Sequence, residues 1–312
     1  MNDKRSTARD PALHPERAGY LYGVSAYFLW GVVPIYFMQL STVPALDIVA
    51  HRILWSVPFL ILLLSVGRAW PQVSAAIRNP RTLSLLGVTA VLIAANWLLY
   101  VYAVTNGHIL AASLGYYLNP LANILLGRFI LGERLDNRQW AAVAIAGLGV
   151  AVLAAGALGT LWISLSLCFS FATYGLLRKV VQVDALAGLS VETGLLFPVA
   201  FIWLILGGAS GLGIFGQPGI LTPLLMAAGV ISTVPLLFFT AAARRLPYST
   251  VGMLQFLAPT LQFLVAVLIY GEALTTAHLV AFAAIWIALT LYVSSILSQR
   301  RRAKNCPELG EG

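Results

Sequence analysis

A segment from the first half of the chain recurs in the second half. The stretch 103–135, AVTNGHILAASLGYYLNPLANILLGRFILGERL, aligns without gaps with 242–274, AARRLPYSTVGMLQFLAPTLQFLVAVLIYGEAL. In this alignment Pro120 falls on Pro259 and Glu133 falls on Glu272. Each copy carries a proline midway along an apolar stretch and a Gly-Glu pair at its end. The chain therefore consists of two related halves.

The composition of the chain excludes a soluble globular domain. Apolar residues make up 60% of the chain and charged residues 10%, whereas soluble domains carry about 25% charged residues. A membrane-spanning helix needs about 20 mainly apolar residues. We therefore expect an all-α integral membrane protein with ten transmembrane helices, which begin near Ala18, Leu46, Leu83, His108, Arg138, Thr160, Gly188, Thr222, Tyr248 and Thr276.

The net charge of +8 does not point to nucleic acid, because the basic residues follow the predicted loops. Of the 19 Lys and Arg residues, all but Arg52 lie in alternate loops or in the two tails. Basic residues concentrate on the cytoplasmic side of membrane proteins. We therefore expect a multi-pass protein of the bacterial inner membrane, in contact with lipid, with both termini in the cytoplasm.

Five predicted spans in each half determine how the halves are related. The expected order is a cytoplasmic amino tail over 1–17, a first repeat over 18–156, a second repeat over 160–297 and a cytoplasmic polar tail over 298–312. An odd number of spans makes the second repeat enter the membrane from the opposite side, so the repeats are inverted. Inverted repeats are typical of secondary transporters, which bind their solute between the halves and work by alternating access.

The two repeated prolines predict irregular helices in the middle of the membrane. Pro120 and Pro259 each remove a backbone hydrogen bond and act as candidate hinges. The freed carbonyl groups need another partner or a wet cavity. Amide side chains near both prolines either line a solute cavity or form hydrogen bonds between helices. These candidates are Asn119, Asn123, Gln255 and Gln262.

Ionisable residues inside predicted spans are the next candidates, because such residues are costly in lipid. Arg52 and Glu192 occupy equivalent places in the second and seventh spans. Their spans start on opposite sides, which places them roughly 15 Å apart along the membrane normal, so we expect them to serve opposite entrances. The alternatives are that Arg52 reaches the outer headgroups beside Asp47, and that Glu192 forms an interfacial bond to Arg178 or Lys179.

Aromatic residues and the Gly-Glu pairs complete the candidates. The deeper rings Trp30, Trp97, Tyr100 and Tyr116 are suited to line a site for an amphipathic organic solute. Glu133 and Glu272 each follow a glycine, which favours the end of a helix with the glycine in the left-handed conformation. A direct role for these carboxylates in ion coupling is the alternative. His51 is expected to be a hydrogen-bonded packing residue, although its imidazole could carry a proton.

The sequence contains no cofactor or metal motif. It has no GxxxxGKS/T phosphate loop and no HExxH or Cys/His cluster. We expect no enzymatic activity, cofactor or metal, and a small organic solute as the partner of the protein. Two alternatives remain open, a membrane enzyme acting on a lipid-like substrate and a non-transporting membrane partner or sensor. Solute identity, coupling ion, direction of transport and oligomeric state are left open.

Several stretches resemble the EamA family of the drug/metabolite transporter superfamily, and within it the RarD-type branch. They are GVSAYFLWGVVPIYF, DIVAHRILWS, NWLLYVYAVTNGHILAASLGYYLNPLANILLGRFILGERL and the second-half copy. The resemblance covers nearly all of residues 18–298 and implies ten helices, inverted five-helix repeats and export or exchange of small metabolites. In one departure, the second copy has Phe256 and Ala258 where the first has Tyr117 and Asn119. The two halves therefore cannot offer equivalent ligands.

Overall fold

The computed structural model describes residues 15–105, 109–155, 159, 161–213, 216, 219–269 and 276–305. Their regular structure is helical throughout. The α-helices are α1 (Pro15–Met38), α2 (Ala45–Val66), α3 (Trp70–Arg78), α4 (Pro80–Thr105), α5 (Ile109–Phe129), α6 (Asn137–Ala154), α7 (Leu161–Val180), α8 (Ala185–Ile205), α9 (Leu221–Arg245), α10 (Tyr248–Gln255), α11 (Leu257–Leu268) and α12 (Thr276–Asn305).

Seven of the described helices are long and apolar enough to cross a membrane, by length and composition. They are α1, α2, α4, α7, α8, α9 and α12. Large apolar side chains such as Val66, Val199 and Ile205 are exposed on their outer faces. An outer surface of this kind suits hydrocarbon rather than water. The all-helical architecture and these spans agree with the expected class of integral membrane protein.

The remaining predicted spans have a more varied structure. Helices α5 and α6 occupy the fourth and fifth predicted spans. The ninth predicted span is divided into α10 and α11, which meet at Phe256. Because Pro259 has no N–H to donate to the carbonyl group of Gln255, the helix is weakened at this point. Pro120, in contrast, lies inside the continuous helix α5, so only the second proline coincides with a break.

The helices pack in a small number of pairs. Helix α1 contacts α9 and α11, α2 contacts α8 and α9, and α4 contacts α7 and α8. Helix α5 contacts α7 and α10, whereas α6 contacts α12. Glycines permit some close approaches: a β-carbon on Gly149 of α6 would lie only 2.8 Å from the Ala284 β-carbon of α12. Small residues at helix contacts are usual in membrane proteins.

Polar capping groups hold the segment between α5 and α6. Gly132 has a φ of 70°, which confirms the expected left-handed glycine. Asp136 and Gln139 form a reciprocal cap of α6, with Gln139 N–H donating to Asp136 Oδ1 at 2.7 Å and Asp136 N–H donating to Gln139 Oε1 at 2.9 Å. The equivalent Gly271 and Glu272 lie outside the described residues.

Candidate solute-binding site

A small central cavity lies where four helices meet. Its volume is about 20 Å³, which is room for about one water molecule. Helices α2, α4, α8 and α9 supply its walls. We call it the central cavity, and its lining residues are Arg52, Ile53, Ser56, Ile93, Trp97, Leu189, Glu192, Thr193, Leu196, Ser232, Thr233 and Leu236.

Arg52 enters the central cavity from α2 and lies on an aromatic ring of α4. Its Cζ atom is 3.6 Å from the centroid of the Trp97 ring, which is cation–π geometry. Asp47, which was expected beside Arg52, is occupied elsewhere: it accepts hydrogen bonds from Trp203 Nε1 at 3.0 Å and from the N–H of Ala209 at 2.8 Å. Asp47 therefore does not pair with Arg52, whose guanidinium lies against Trp97 and lines the central cavity.

Glu192 enters the central cavity from α8 and is held by three side chains. Thr89 Oγ1 donates to Glu192 Oε1 at 2.5 Å, and the Tyr174 hydroxyl donates to Oε2 at 3.3 Å. Arg178 Nε lies 3.5 Å from Oε1, and both side chains are almost fully buried, at 0% and 1% exposure. Arg178 was one of the expected partners, but the pair is buried rather than interfacial.

Arg178 is itself fixed by the start of α8. Its Nη2 donates to the carbonyl oxygen of Ala185 at 3.2 Å. Its guanidinium lies against Gly188, where a β-carbon would overlap Nη1. Lys179, the other expected partner of Glu192, instead donates to the carbonyl oxygens of Ala243 at 2.9 Å and Leu246 at 2.6 Å at the end of α9. The two adjacent cations thus have different roles.

Arg52 and Glu192 are brought to the same cavity. Each is the eighth residue of its helix, in α2 and α8 respectively, and these two helices pack against each other. That the two residues serve opposite entrances stays a prediction, although both line one cavity. The ion-pair partner of Glu192 is Arg178 rather than Arg52.

Hydroxyl groups join α2 to α9 beside the central cavity. Thr233 Oγ1 donates to Ser56 Oγ at 2.8 Å, and Ser56 Oγ lies 2.5 Å from the carbonyl oxygen of Arg52. At the same place Gly229 of α9 meets the backbone of α2 so closely that a β-carbon would overlap the carbonyl group of Trp55. The cavity is therefore closed on this side by direct contact between backbones.

The amides near the prolines lie away from the central cavity. Asn123 Nδ2 donates to Gln255 Oε1 at 2.7 Å, and Gln262 Nε2 donates to the carbonyl oxygen of Trp30 at 2.9 Å. These bonds join α5 to α10 and α1 to α11. The amide of Asn119 is fully buried and has no hydrogen-bond partner among the described residues. For Asn123, Gln255 and Gln262, the contacts favour packing between helices over a cavity lining.

The four candidate aromatic residues separate into three settings. Trp97 lines the central cavity. Trp30 packs in an aromatic cluster with Phe171 and Phe239, at centroid distances of 5.9 and 5.8 Å. Tyr100 and Tyr116 pack against each other with centroids 5.6 Å apart. His51 is buried, and its Nε2 lies 3.2 Å from the carbonyl oxygen of Gly213, in keeping with a packing residue.

Several residues of the site were not identified from the sequence. Arg178 was considered only as a loop cation or an interfacial partner, because it stands near the end of an apolar stretch. Thr89, Ser56 and Thr233 carry no charge and match no motif. An arginine near the end of the sixth predicted span, close to a glutamate of the next span, is the sequence signal that pointed to the Arg178–Glu192 pair.

The chain matches known proteins along most of its length. The model of the EamA-like transporter family matches residues 17–155. Protein RarD of Salmonella typhi is 48% identical over 295 residues, covering 92% of this chain and 98% of the relative. A Vibrio cholerae protein described as an uncharacterized transporter is 45% identical over 283 residues, covering 90% of this chain and 94% of that protein.

A solved crystal structure shares the fold. It superposes with a TM-score of 0.71 at 20% sequence identity, covering 89% of this chain and 97% of the other. Identity this low carries information on the fold alone. The identities near one half over nearly the full length are more specific. The chain therefore belongs to the EamA transporter family, and within it to the RarD-type proteins.

Proposed function

We propose that this protein is a secondary transporter that moves small organic solutes across the bacterial inner membrane by alternating access. The solute binds at the central cavity. The observation that carries this proposal is the makeup of the cavity wall, to which each sequence half contributes two helices: α2 and α4 from the first, α8 and α9 from the second. Transporters built from repeats bind their solute at the interface between the repeats.

Ten transmembrane helices in two inverted five-helix repeats are the second part of the proposal. The first repeat, 18–156, holds α1, α2, α4, α5 and α6. The second, 160–297, holds α7, α8, α9, the α10–α11 pair and α12. In this arrangement α1 corresponds to α7, α2 to α8, α4 to α9, α5 to the α10–α11 pair and α6 to α12. Exchanging the repeats therefore turns the α1–α9 contact into the α7–α4 contact. In the same way it turns the α5–α7 contact into the α11–α1 contact. The pairs α2–α8, α5–α10 and α6–α12 map onto themselves. All of these pairs are in contact, which supports a twofold relationship.

The membrane orientation follows from the basic residues. We place both tails in the cytoplasm, because Lys and Arg alternate between loops as the positive-inside rule requires. In this orientation α2 starts on the outside and α8 starts on the inside. Arg52 and Glu192 then approach the central cavity from opposite faces of the membrane, and each repeat supplies one charged residue to it.

The charged groups favour transport over the two alternatives. A membrane enzyme needs acid, base or metal groups that converge on one reacting atom. At the central cavity, Glu192 is engaged by Arg178, Thr89 and Tyr174. A non-transporting membrane partner has no use for charged residues between its two halves, because charged residues inside the membrane are energetically unfavourable. A binding site that is exposed to each side in turn makes use of both the charges and the cavity.

Counterflow in liposomes tests this proposal. The purified protein is placed in phosphatidylcholine liposomes preloaded with a mixed pool of small metabolites, and uptake of labelled members of the pool is followed. We expect transient, protein-dependent accumulation that disappears when the inside is left unloaded. Chemical conversion of a solute without movement would identify an enzyme. Neither movement nor conversion in any pool would overturn the transport function.

A further inference from the structure

We propose that the solute is an organic anion, and that its carboxylate or phosphate group binds Arg52 where this side chain lies on Trp97. This inference rests on the proposed transport function and names the class of its solute. It starts from a difference between the two charged residues of the central cavity. Both carboxylate oxygens of Glu192 have partners, whereas Arg52 has no hydrogen-bond acceptor among the described residues.

The Arg52 guanidinium has more hydrogen-bond donors than there are acceptor groups beside it. A guanidinium carries five N–H donors in its plane, and the Trp97 ring covers one face of this plane at 3.6 Å. Among the residues that the structure describes, no side chain or carbonyl group accepts a hydrogen bond from the Arg52 guanidinium. Tyr36 and Tyr116 lie near enough to Arg52 to interact with it electrostatically. The edge of the guanidinium is therefore available to a ligand at the cavity.

The neighbouring carboxylates are already engaged. Asp47, on the same helix, accepts hydrogen bonds from Trp203 and from two backbone N–H groups of the turn over 206–210. Glu192, on the cavity wall, forms an ion pair with Arg178 at 3.5 Å and accepts hydrogen bonds from Thr89 and Tyr174. The charge of Glu192 is thus neutralised by Arg178. Within the described part of the chain, the central cavity retains the positive charge of Arg52.

An uncompensated charge inside a membrane protein favours a ligand of opposite sign. Removing an unpaired ion from water is costly, and an anionic group on the solute offsets this cost. Arginine suits such a group because its planar donors bind carboxylate and phosphate in a bidentate manner. The remaining wall offers apolar contacts from Ile93, Leu196 and Leu236. These features together select a compact anion with an apolar body.

The size of the cavity adds a condition on binding. A volume of about 20 Å³ accepts about one water molecule, so an organic anion enters only when the walls separate. The contact of Ser56 with Thr233 lies on this wall. An anion at Arg52 then stabilises an opened conformation, and binding is detectable as a change in thermal unfolding as well as in transport.

Three flat probes of similar shape test the sign of the preferred charge. Benzoate is anionic, benzamide neutral and benzamidinium cationic. The full-length protein in phosphatidylcholine nanodiscs is titrated with each, and the apparent dissociation constant is read from the shift in unfolding temperature. We expect benzoate to bind at least tenfold more tightly than benzamide, and benzamidinium to give no shift. Equal or tighter binding of the neutral or cationic probe would overturn the inference.

Variants identify the residue responsible. Arg52→Gln should reduce benzoate affinity at least tenfold and bring it to the level of benzamide, whereas Arg52→Lys should give an intermediate loss. Arg245→Gln is the matched control, because Arg245 also lies over an aromatic ring, that of Tyr22 at 5.2 Å, but outside the central cavity. It should bind benzoate as the unaltered protein does. Unchanged benzoate affinity in a folded Arg52→Gln protein would overturn the assignment, and the three-probe comparison holds even if that variant fails to fold.

Two further experiments distinguish an anionic solute from a lipid headgroup and from solutes of other charge. Nanodiscs containing phosphatidylglycerol offer an anionic headgroup; loss of the benzoate shift in these nanodiscs alone would assign Arg52 to lipid and contradict a solute site. Counterflow of neutral or cationic solutes without any anion counterflow would refute the anion inference while the transport function stands. Absence of counterflow for every solute would refute the transport function itself.

Discussion

Glu133 caps a helix that belongs to the other half of the chain. Its Oε2 atom accepts a hydrogen bond of 2.9 Å from the backbone N–H of Ser249, and its Oε1 atom accepts one from Tyr248. These N–H groups lie in the first turn of α10, where they have no partner within the helix. The segment after α5 therefore fixes the start of α10. A glutamate that was expected at the end of its own helix thus also caps a helix in the other half of the chain.

Removal of this cap should destabilise the fold. We expect Glu133→Ala to lower the free energy of unfolding by about 1–2 kcal/mol, because two helix N–H groups lose their acceptor. Asp184→Ala is the control, since Asp184 precedes α8 without a side-chain cap hydrogen bond and its partly exposed ion pair with Arg244 should contribute less than about 1 kcal/mol. Chemical unfolding in detergent micelles measures both. Similar losses for the two variants would contradict the capping role.

The buried pair of Arg178 and Glu192 should show strong coupling. Glu192→Leu leaves the fully buried Arg178 without its carboxylate, and we expect a loss of about 3–5 kcal/mol in the free energy of unfolding. Combining Glu192→Leu with Arg178→Met should restore most of this loss, because an apolar pair of similar volume replaces the ions. The measurement is a double-mutant cycle in detergent. Additive losses would show that the two side chains do not interact.

Gly188 should be intolerant of a single added methyl group. A β-carbon at this position would overlap the Arg178 guanidinium, so Gly188→Ala should cost about 1–3 kcal/mol through overpacking. Gly194 lies on the same helix, and a β-carbon there would meet nothing within 4 Å. Gly194→Ala should therefore preserve stability and expression. Thermal unfolding of the two variants in parallel tests this difference. Equal unfolding temperatures would contradict the close packing of the Arg178 guanidinium against Gly188.

Replacement by leucine should affect stability differently at Asn119 and at Asn123, the two asparagines near Pro120. Asn123→Leu breaks the hydrogen bond to Gln255 and should cost roughly 0.6–2 kcal/mol of stability with little change in solute affinity. Asn119→Leu removes an amide that has no partner among the described residues, so it should be neutral or stabilising. Unfolding and probe affinity are measured on the same samples. Weakened solute binding by a stable Asn123→Leu protein would restore the cavity interpretation.

The proposed orientation can be tested by thiol labelling. In a Cys306→Ser background, a cysteine at the exposed Leu212, in the segment after α8, should react with an impermeant maleimide in intact cells. A cysteine at the exposed Asn79, between α3 and α4, should react only after the membrane is opened. Native Cys168 is buried and should stay silent in both. Labelling of the Asn79 position in intact cells would reverse the orientation.

Local features of the fold were more predictable than contacts between helices. The left-handed Gly132 and the irregularity near Pro259 follow from backbone chemistry that is readable in the sequence. The short helix α3 was missed, because a segment of nine residues is below the length needed to span a membrane. It lies just after Arg68, in a segment that the sequence marked only by its basic residues.

The candidate site was predicted only in part, because its conspicuous residues are readable in the sequence and its contacts between helices are not. Arg52, Trp97 and Glu192 were identified because charged and aromatic residues are conspicuous in an apolar chain. The choice between Arg178 and Lys179 as the partner of Glu192 depends on which side of α7 faces α8, and adjacent residues on a helix point about 100° apart. The meeting of Arg52 with Trp97 joins α2 to α4, and spacing along the chain contains no information on this contact.

The close contact of Gly229 with the Trp55 backbone has a consequence for the membrane as a whole. With α2 and α9 in backbone contact and room for about one water between the four helices, the described residues leave too little space for a hydrated ion at this seam. Under the proposed transport function, a seam of this kind lets a cell keep many copies in its membrane without dissipating its ion gradients.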